Sequence, residues 1–362
     1  MKKVFLIIPS FAGGGAERVF ISLATHLHNN YHVEFEVTLV VFSGRGPLLT
    51  QVPPTVRLID LQSIRARQSL FSLFWLCKRE RPDVVLTTMQ ASISFFIVQL
   101  FWRKSVQWVC RLENPVSITL KKMESFSVWL FAQALRACDQ VVALNQAMAQ
   151  DVVKVLSLKP AKIVVIPNPI DVVQVRLQST VPIVPLIHPA LIACGRLTPQ
   201  KNFTDSILVF LLILDKYPAA HLYIIGEGSE RPILEALITK HDIKDKVTLM
   251  GFIDNPYPYF VASDVFLLTS KWEGFGNVIV EAMACQTPVV SYDCPTGPRD
   301  ILEGGRYGEL VPIGDIQAFA TAVDRILATP FSPELISARA DNYAVSTIIK
   351  QYKELFITSR HV

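Results

Sequence analysis

The chain is poor in charge and lacks the residue spacings that mark disulfide, zinc and metal-bridging frameworks. Charged residues make up 18% of 362 positions against 51% apolar ones. That balance excludes a disordered protein, because there is ample apolar surface to bury. The six cysteines stand at 77, 110, 138, 194, 285 and 294 with no C-x-x-C between them. They are too few and too scattered for a disulfide scaffold or a zinc finger, and are expected as reduced, mostly buried thiols of a cytoplasmic protein. No D-x-D occurs, which argues against a metal-bridged diphosphate of that type, and no H-E-x-x-H, G-x-S-x-G or EF-hand pattern is present. The seven histidines form no ligand set; His26, His28 and His32 are read as a helix end, and no histidine stands between His32 and His188.

Long apolar runs are also absent. Mean hydropathy is high at +0.35, yet the two longest runs, Ile93–Trp102 (broken by Ser94 and Gln99) and Ile207–Leu214, fall short of the roughly 20 residues a spanning helix needs. The start, Met1-Lys2-Lys3 and then Val4 to Ile8, imitates a signal peptide. Its apolar run stops at Pro9, below the roughly 7–15 residues of a signal core. It is read instead as a first buried strand.

What is present is unevenly charged. Residues 1–170 hold 19 basic and 10 acidic side chains, a net +9, and residues 171–362 hold 16 and 21, a net −5. A basic half suggests an anionic surface as partner. Two basic-aromatic stretches sharpen this: Arg65 to Arg81, with Phe71, Phe74 and Trp75, and Lys121 to Arg136, with Phe126, Trp129 and Phe131. Such segments suit a membrane interface, although aromatics at helical spacing also serve as ordinary core. No RRM, zinc-finger or basic-zipper pattern supports nucleic acid as a partner.

Strand-length apolar runs recur with helix-length segments between them: Val4–Ile8, Val33–Val41, Val84–Thr87, Val106–Cys110, Gln140–Leu144 and Ile163–Ile166, then Ala190–Cys194, His221–Ile225, Val247–Met250, Val265–Thr269 and Pro288–Ser291. Runs this apolar fit strands buried on both faces, so the fold class is α/β with parallel sheets. Between Pro167 and Pro189 five prolines interrupt the pattern, which reads as a linker between two similar domains.

The chemistry-bearing residues stand just after these strands, where ligands of such sheets collect. After the first strand comes Gly13-Gly14-Gly15-Ala16-Glu17 at the start of a helix; the turn suits an anion at a helix N-terminus, or is simply tight. It matches neither G-x-G-x-x-G nor a P-loop. After Ala190–Cys194 come Gly195, Arg196 and Lys201, two cations suited to a diphosphate or, in the plainer reading, solvated on the surface. The sharpest feature is Glu273-Gly274-Phe275-Gly276-Asn277, followed by Glu281, an E-x7-E pattern bridging a loop and a helix. Carboxylates accept two hydrogen bonds each and suit sugar or ribose diols. A first-turn acid complementing the helix dipole accounts for Glu281 alone but not for both glutamates. A fourth loop, Asp293 to Asp300, again follows a strand.

Together these motifs resemble the retaining glycosyltransferases of family 4, of bacterial surface-polysaccharide type. The residues that carry the resemblance are Gly14-Gly15-Ala16-Glu17, Ile166-Pro167-Asn168-Pro169-Ile170-Asp171, Gly195-Arg196-Leu197 with Lys201-Asn202, Gly226-Glu227-Gly228, and Glu273 to Glu281. The resemblance implies the GT-B fold: two Rossmann-like domains facing across a cleft. Residues 1–170 would form the acceptor-side domain, 171–189 the linker, 190–343 the nucleotide-sugar domain, and 344–362 a helix crossing back to the first domain.

It also implies roles. Arg196 and Lys201 would hold the donor diphosphate beside Gly195, and Glu281 the ribose hydroxyls. Glu273 would contact the transferred sugar, with backbone N–H groups of Phe275, Gly276 and Asn277 nearby. Gly14 and Gly15 would line the phosphates, and Gly251 to Asn255 would border the base. Where many members carry an active-site histidine, this chain has Val109 to Pro115, so Arg111, Glu113 or Asn114 would contact sugar or acceptor instead.

The implied reaction is a retaining transfer of a hexosyl group from a nucleotide sugar, a UDP-sugar, needing neither metal nor cofactor. The acceptor would be a polyprenyl-diphosphate-linked oligosaccharide or a lipopolysaccharide precursor, met at the inner face of the cytoplasmic membrane. A nucleotide-sugar epimerase, a synthase with a soluble acceptor, and a binding protein without turnover are the alternatives.

Overall fold

Apolar runs with no polar face can only be buried from both sides, and the chain does this twice with parallel sheets covered by helices. The computed structural model describes residues 1–12, 14–63, 66–102, 106–121 and 123–358, without the side chains of 66–68. Gly13, Arg65, Lys122 and the side chain of Arg67, all part of the motifs above, lie outside the described residues.

The chain divides into two compact units. Unit 1 runs β1 (Lys2–Ile8), α1 (Gly15–Tyr31), β2 (Phe35–Val41), β3 (Arg57–Asp60), α2 (Ala66–Glu80), β4 (Val84–Thr88), α3 (Met89–Trp102), β5 (Gln107–Arg111), α4 (Val116–Leu120), α5 (Ser125–Ala137), β6 (Gln140–Ala143), α6 (Gln146–Leu156) and β7 (Ile163–Val165). Unit 2 runs α7 (Val172–Gln178), β8 (Ala190–Cys194), α8 (Phe203–Lys216), β9 (His221–Ile225), α9 (Arg231–Lys240), β10 (Val247–Gly251), α10 (Tyr257–Val261), β11 (Val265–Leu268), α11 (Asn277–Ala284), β12 (Val289–Tyr292), α12 (Pro298–Ile301), β13 (Glu309–Val311), α13 (Ile316–Ala328) and α14 (Pro333–Ala340). The last helix, α15 (Val345–Ile357), belongs to unit 1.

Both sheets are parallel and wound alike. Unit 1 has the order β3-β2-β1-β4-β5-β6-β7 and unit 2 the order β10-β9-β8-β11-β12-β13. In each, the winding reverses beside the first strand, between β1 and β4 and between β8 and β11. Loops leaving the carboxyl ends of these strands diverge there and open a crevice. Helix α1 turns Val19, Phe20, Leu23, Ala24 and Leu27 onto the sheet. Helix α15 adds Ile348, Ile349, Tyr352, Leu355 and Phe356 to the same core. Its last carbonyls are satisfied within unit 1: Lys2 Nζ donates to the Phe356 carbonyl at 2.9 Å and Gln107 Nε2 to the Leu355 carbonyl at 2.7 Å.

Three readings need correction. The edge strands β3 and β13 were not expected, because these short segments, RLID and ELV, carry charged residues and form no apolar run. The strand expected from Val33 begins at Phe35, and Val33 is 77% exposed. The proline-rich stretch is not free of helix: it carries α7, capped by Asp171 Oδ1 accepting the Gln174 N–H at 3.0 Å. Arg176 of α7 binds Ser337 Oγ at 2.8 Å and Asp341 at 2.8 Å, which ties this segment to α14 within unit 2.

Candidate functional site

In unit 2 the residues after β8, β9, β11 and β12 interlock. The turn after β8 and the turn after β9 are held by backbone bonds: Gly195 N–H to the Ile225 carbonyl and Leu197 N–H to the Glu227 carbonyl, both 2.9 Å. Gly226 has φ +143°, and a Cβ there would run into the Gly195 carbonyl, so the close approach demands glycine. This explains Gly226-Glu227-Gly228 as the support of the Gly195-Arg196-Leu197 turn.

Lys201 lies over Gly195 and points to the loop after β11. Its Nζ donates to Glu273 Oε1 at 2.6 Å. Ser270 Oγ donates to the same oxygen, also at 2.6 Å. Glu273 Oε2 has no partner among the described residues, so one carboxylate oxygen is satisfied by the protein and the other is left to accept. The Glu273 carbonyl accepts the Thr296 hydroxyl from the fourth loop. There Gly297, at φ +102°, backs directly onto the Phe275 carbonyl, where a Cβ would not fit. Ser270 and Thr296 were not singled out in the sequence. Ser270 stands three residues before Glu273 in the same turn, a spacing that could have flagged it.

Gly276, in a left-handed conformation, caps α11 without a side chain over its N-terminus. Phe275 is buried and its ring meets Tyr343 edge-on at 5.4 Å, which fixes the backbone of Phe275, Gly276 and Asn277. Glu281 is half-buried one turn into α11. The thiol of Cys194 is pushed up to about 12 by burial and further by the Glu281 carboxylate, while Lys201 opposes the shift. Cys294 is likewise pushed up to about 12 by burial, then by Glu273, again opposed by Lys201. Both glutamates therefore act electrostatically on thiols that also sense Lys201. Arg196 is exposed; its carbonyl accepts the Thr198 N–H at 2.8 Å, while its guanidinium has no hydrogen-bond or ion-pair partner among the described residues. At the end of β10 the Gly251 carbonyl accepts the Gly226 N–H at 2.8 Å, and Asn255 donates to the Gln178 carbonyl of α7 at 2.9 Å.

Unit 1 gathers a second cluster. Gly14 is the N-cap of α1 and offers no side chain; Gly15 is the first helical residue. Glu17 leans over this turn so closely that a Cβ on Gly14 would strike its carboxylate. Arg111 ends β5 and is only 1% exposed. One guanidinium nitrogen donates to Asn168, while Nε and Nη1 have no hydrogen-bond acceptor among the described residues. Nη1 stands 3.7 Å from Glu113 Oε1. Arg111 is thus enclosed, with Glu113 as its nearest carboxylate among the ion pairs of the described residues. The Glu113 carboxylate accepts the Met89 N–H of α3 at 3.1 Å. Its acidity is weakened to a pKa of about 7, chiefly by burial and also by Glu17, against the opposing pull of Arg111. Asn114 is exposed.

The basic-aromatic stretches are not ordinary core. Phe71 is 73% and Phe126 70% exposed, and Trp75 and Trp129 are exposed as well, while Phe74 is half-buried and Phe131 buried; between the two stretches, Phe101 is 74% exposed and Leu100 is exposed too. These residues lie on α2, α3 and α5, with α3 touching both neighbours. Phe126 and Trp129 stack at 6.1 Å, and Lys78 sits over the Trp75 ring at 4.8 Å. Helix α3 carries no charged residue from Met89 to Trp102. Among the described residues no helix is long and apolar enough to cross a membrane, and no group of three or more His, Cys, Asp or Glu is placed to hold a metal ion.

Two Rossmann-like units, each with a glycine turn at the carboxyl end of its first strand, define the GT-B class of glycosyltransferases. The chain belongs to glycosyltransferase family 4: a family model described as Glycosyltransferase Family 4 matches residues 13–174, and one described as Glycosyl transferases group 1 matches residues 188–329. A similar protein is the N-acetylgalactosamine-N,N'-diacetylbacillosaminyl-diphospho-undecaprenol 4-alpha-N-acetylgalactosaminyltransferase of Campylobacter jejuni. It is 25% identical over 327 residues, which cover 86% of this chain and 87% of that one. Among solved structures, the Anabaena protein HepE in complex with UDP superposes with a TM-score of 0.81 at 20% identity, covering 99% of this chain and 100% of that one. The lipopolysaccharide outer core galactosyltransferase WaaB superposes with a TM-score of 0.75 at 19% identity over 98% of each chain.

Proposed function

We propose that this glycosyltransferase moves a hexosyl group, with retention and without a metal, from a UDP-sugar to a membrane-associated glycan in bacterial polysaccharide or lipopolysaccharide assembly. The observation that carries the reading is the Lys201–Glu273 pair. It offers a cation for the diphosphate and a carboxylate oxygen for the sugar from adjacent loops of one unit. Cleavage of a sugar–phosphate bond builds negative charge on the departing diphosphate. Lys201, Arg196 and the N-terminus of α11 are preorganised groups that stabilise such charge, the work a divalent ion does elsewhere. Glu281 would take the ribose hydroxyls, and Gly14 and Gly15 at α1 would line phosphate. Retention rests on family membership.

The donor and acceptor classes draw on the relatives. HepE was solved with UDP, and the Campylobacter enzyme's name specifies an undecaprenyl diphosphate-linked acceptor. The exposed aromatics of α2, α3 and α5, with Lys78 and Arg79 at their border, support docking on an anionic bilayer: cations meet lipid phosphates and rings enter the interface.

The test is thermal stabilisation by a panel of nucleotide sugars with and without EDTA, followed by transfer assays on lipid-linked acceptors. A shift with one UDP-sugar that survives EDTA is expected, because ligand binding stabilises the folded state by mass action. Loss of the shift in EDTA overturns metal independence, and a shift confined to other nucleotides overturns the uridine assignment.

A further inference from the structure

We propose that Arg339 and Tyr343 are positioning residues of the transfer reaction: they fix, from behind, where the backbone of Phe275, Gly276 and Asn277 stands against the departing diphosphate. The inference rests on the donor reading above, which gives that backbone to the donor. It adds two residues that stand in no motif of the site.

The loop after β11 has little in its own sequence to hold it. Gly274 and Gly276 flank Phe275, and Gly276 caps α11 in a left-handed conformation. Glycine loses more freedom on ordering than any other residue, so the order must be supplied from outside. Lys201 and Ser270 supply it at the Glu273 carboxylate. Behind Phe275 it comes from Tyr343, whose ring meets the buried Phe275 ring edge-on at 5.4 Å.

Tyr343 closes the turn after α14, and its own carbonyl accepts the Ile170 N–H at 2.9 Å. Its hydroxyl accepts Arg339 Nη2 at 2.9 Å. The same Arg339 nitrogen donates to the Asp300 carbonyl at 2.7 Å, and Nε donates to the Ile301 carbonyl at 3.0 Å. The guanidinium also lies over the rings of Tyr307 and Tyr343, 5.3 Å from each centroid. Asp300 and Ile301 end α12, and their N–H groups donate to the Gly297 carbonyl. Gly297 backs onto the Phe275 carbonyl, and the neighbouring Thr296 hydroxyl donates to the Glu273 carbonyl. Arg339 therefore reaches the loop by two routes: through Tyr343 onto the Phe275 ring, and through α12 onto the loop's carbonyls. A planar guanidinium can bond several acceptors and stack on two rings at once, which an ammonium cannot.

Backbone N–H groups stabilise a departing oxyanion only where they are aimed at the charge as it develops. In the donor reading Lys201, Arg196 and Glu281 hold the donor before reaction. Loosening the loop therefore slows the chemical step more than it weakens donor binding.

The experiment compares three variants of the full chain: Tyr343→Leu, which removes the ring; Tyr343→Phe, which removes only the hydroxyl; and Arg339→Met, which keeps an apolar stem. Hydrogen exchange of the ligand-free chain reads the N–H groups of Ile279, Asp300 and Ile301, whose acceptors are the Gly276 and Gly297 carbonyls. Calorimetry reads the Kd of UDP-glucose and UDP-N-acetylgalactosamine. Turnover is read as UDP release with lipid extracted from bacterial membranes as acceptor, below the melting temperature of every variant. In Tyr343→Leu and Arg339→Met, exchange at those groups should quicken at least about tenfold. Their kcat should fall about ten- to a hundredfold while donor Kd stays within about threefold, since a misplacement of about 1 Å can cost about a hundredfold in rate. Tyr343→Phe should keep at least about half of kcat, because the ring contact remains. If one of the two disruptive variants does not fold, the other carries the comparison. An unaltered kcat in both overturns the proposal, whatever the exchange. So does a donor Kd that weakens as much as kcat falls, with exchange quickened throughout unit 2, since that marks general loosening. If neither sugar nucleotide binds the unaltered chain, the donor reading fails and the positioning role falls with it, even where exchange quickens.

Discussion

Lys201 Nζ and Ser270 Oγ converge on one oxygen of Glu273, each at 2.6 Å, and leave the other oxygen unpartnered among the described residues. The side chains of Lys201 and Glu273 are 19% and 8% exposed, so the charges face each other largely out of water. Desolvation offsets much of the attraction in a pair this enclosed, so its presence adds little to stability. Replacing Lys201 with Ala should lower kcat/KM by about two orders of magnitude or more, the usual loss when a group stabilising transition-state charge is removed. Steady-state kinetics with the donor found in the thermal panel make the check. A near-unaltered rate removes Lys201 from the mechanism.

Gly226 tests the scaffold beneath that pair. An alanine there would force its Cβ against the Gly195 carbonyl in a backbone conformation that side chains avoid. Gly226→Ala should cost on the order of 2 kcal/mol or more and displace the Gly195 turn. Denaturant unfolding measures the loss. An unchanged midpoint means the two turns move apart freely.

Glu113 makes stability depend on pH in a defined direction. Its carboxyl titrates at about 7 in the fold against an ordinary 4.5. Between those values the folded state binds more protons than the unfolded one. The favourable contribution is complete below about 4.5 and is lost as pH rises through about 7, a change on the order of 3 kcal/mol. Glu113→Gln removes this slope. The melting temperature of the variant relative to the unaltered protein should therefore rise by several degrees between about pH 5 and about pH 8. A constant difference across that range means Glu113 keeps an ordinary acidity.

The aromatic face of unit 1 predicts association with anionic vesicles that weakens with salt. Replacing Phe71, Trp75, Phe126 and Trp129 with Ser should reduce co-sedimentation with phosphatidylglycerol vesicles at least about tenfold, because interfacial binding scales with buried apolar area. Melting temperature should change little, since these rings are exposed in the fold. Equal sedimentation of both proteins directs the search for a membrane contact elsewhere.

Periodicity and spacing determined the α/β class and nearly all long strands, because a strand buried on both faces must be apolar throughout and Ala190–Cys194 or His221–Ile225 can be little else. They also marked the glycine turns and the E-x7-E pattern, whose residue types are dictated locally by backbone conformation and hydrogen-bonding capacity. The edge strands β3 and β13 were not legible: Arg57–Asp60 and Glu309–Val311 carry charged residues and form no apolar run, unlike the equally short edge strand β7, Ile163–Val165, which is wholly apolar. Helix α7 was hidden by the prolines around it, and its anchorage by Arg176 on α14 spans 161 positions of sequence.

Only the tertiary structure decided which charges meet. Lys201 and Glu273 are 72 residues apart, and Arg111 and Asn168 are 57 apart. Nothing in local sequence states that Arg111 is enclosed while Arg196 is open to solvent. Burial and charge neighbourhood are set by the packing of distant elements, and these, rather than residue identity, decide whether a cation binds a ligand or steadies a carboxylate and whether a glutamate titrates near neutrality.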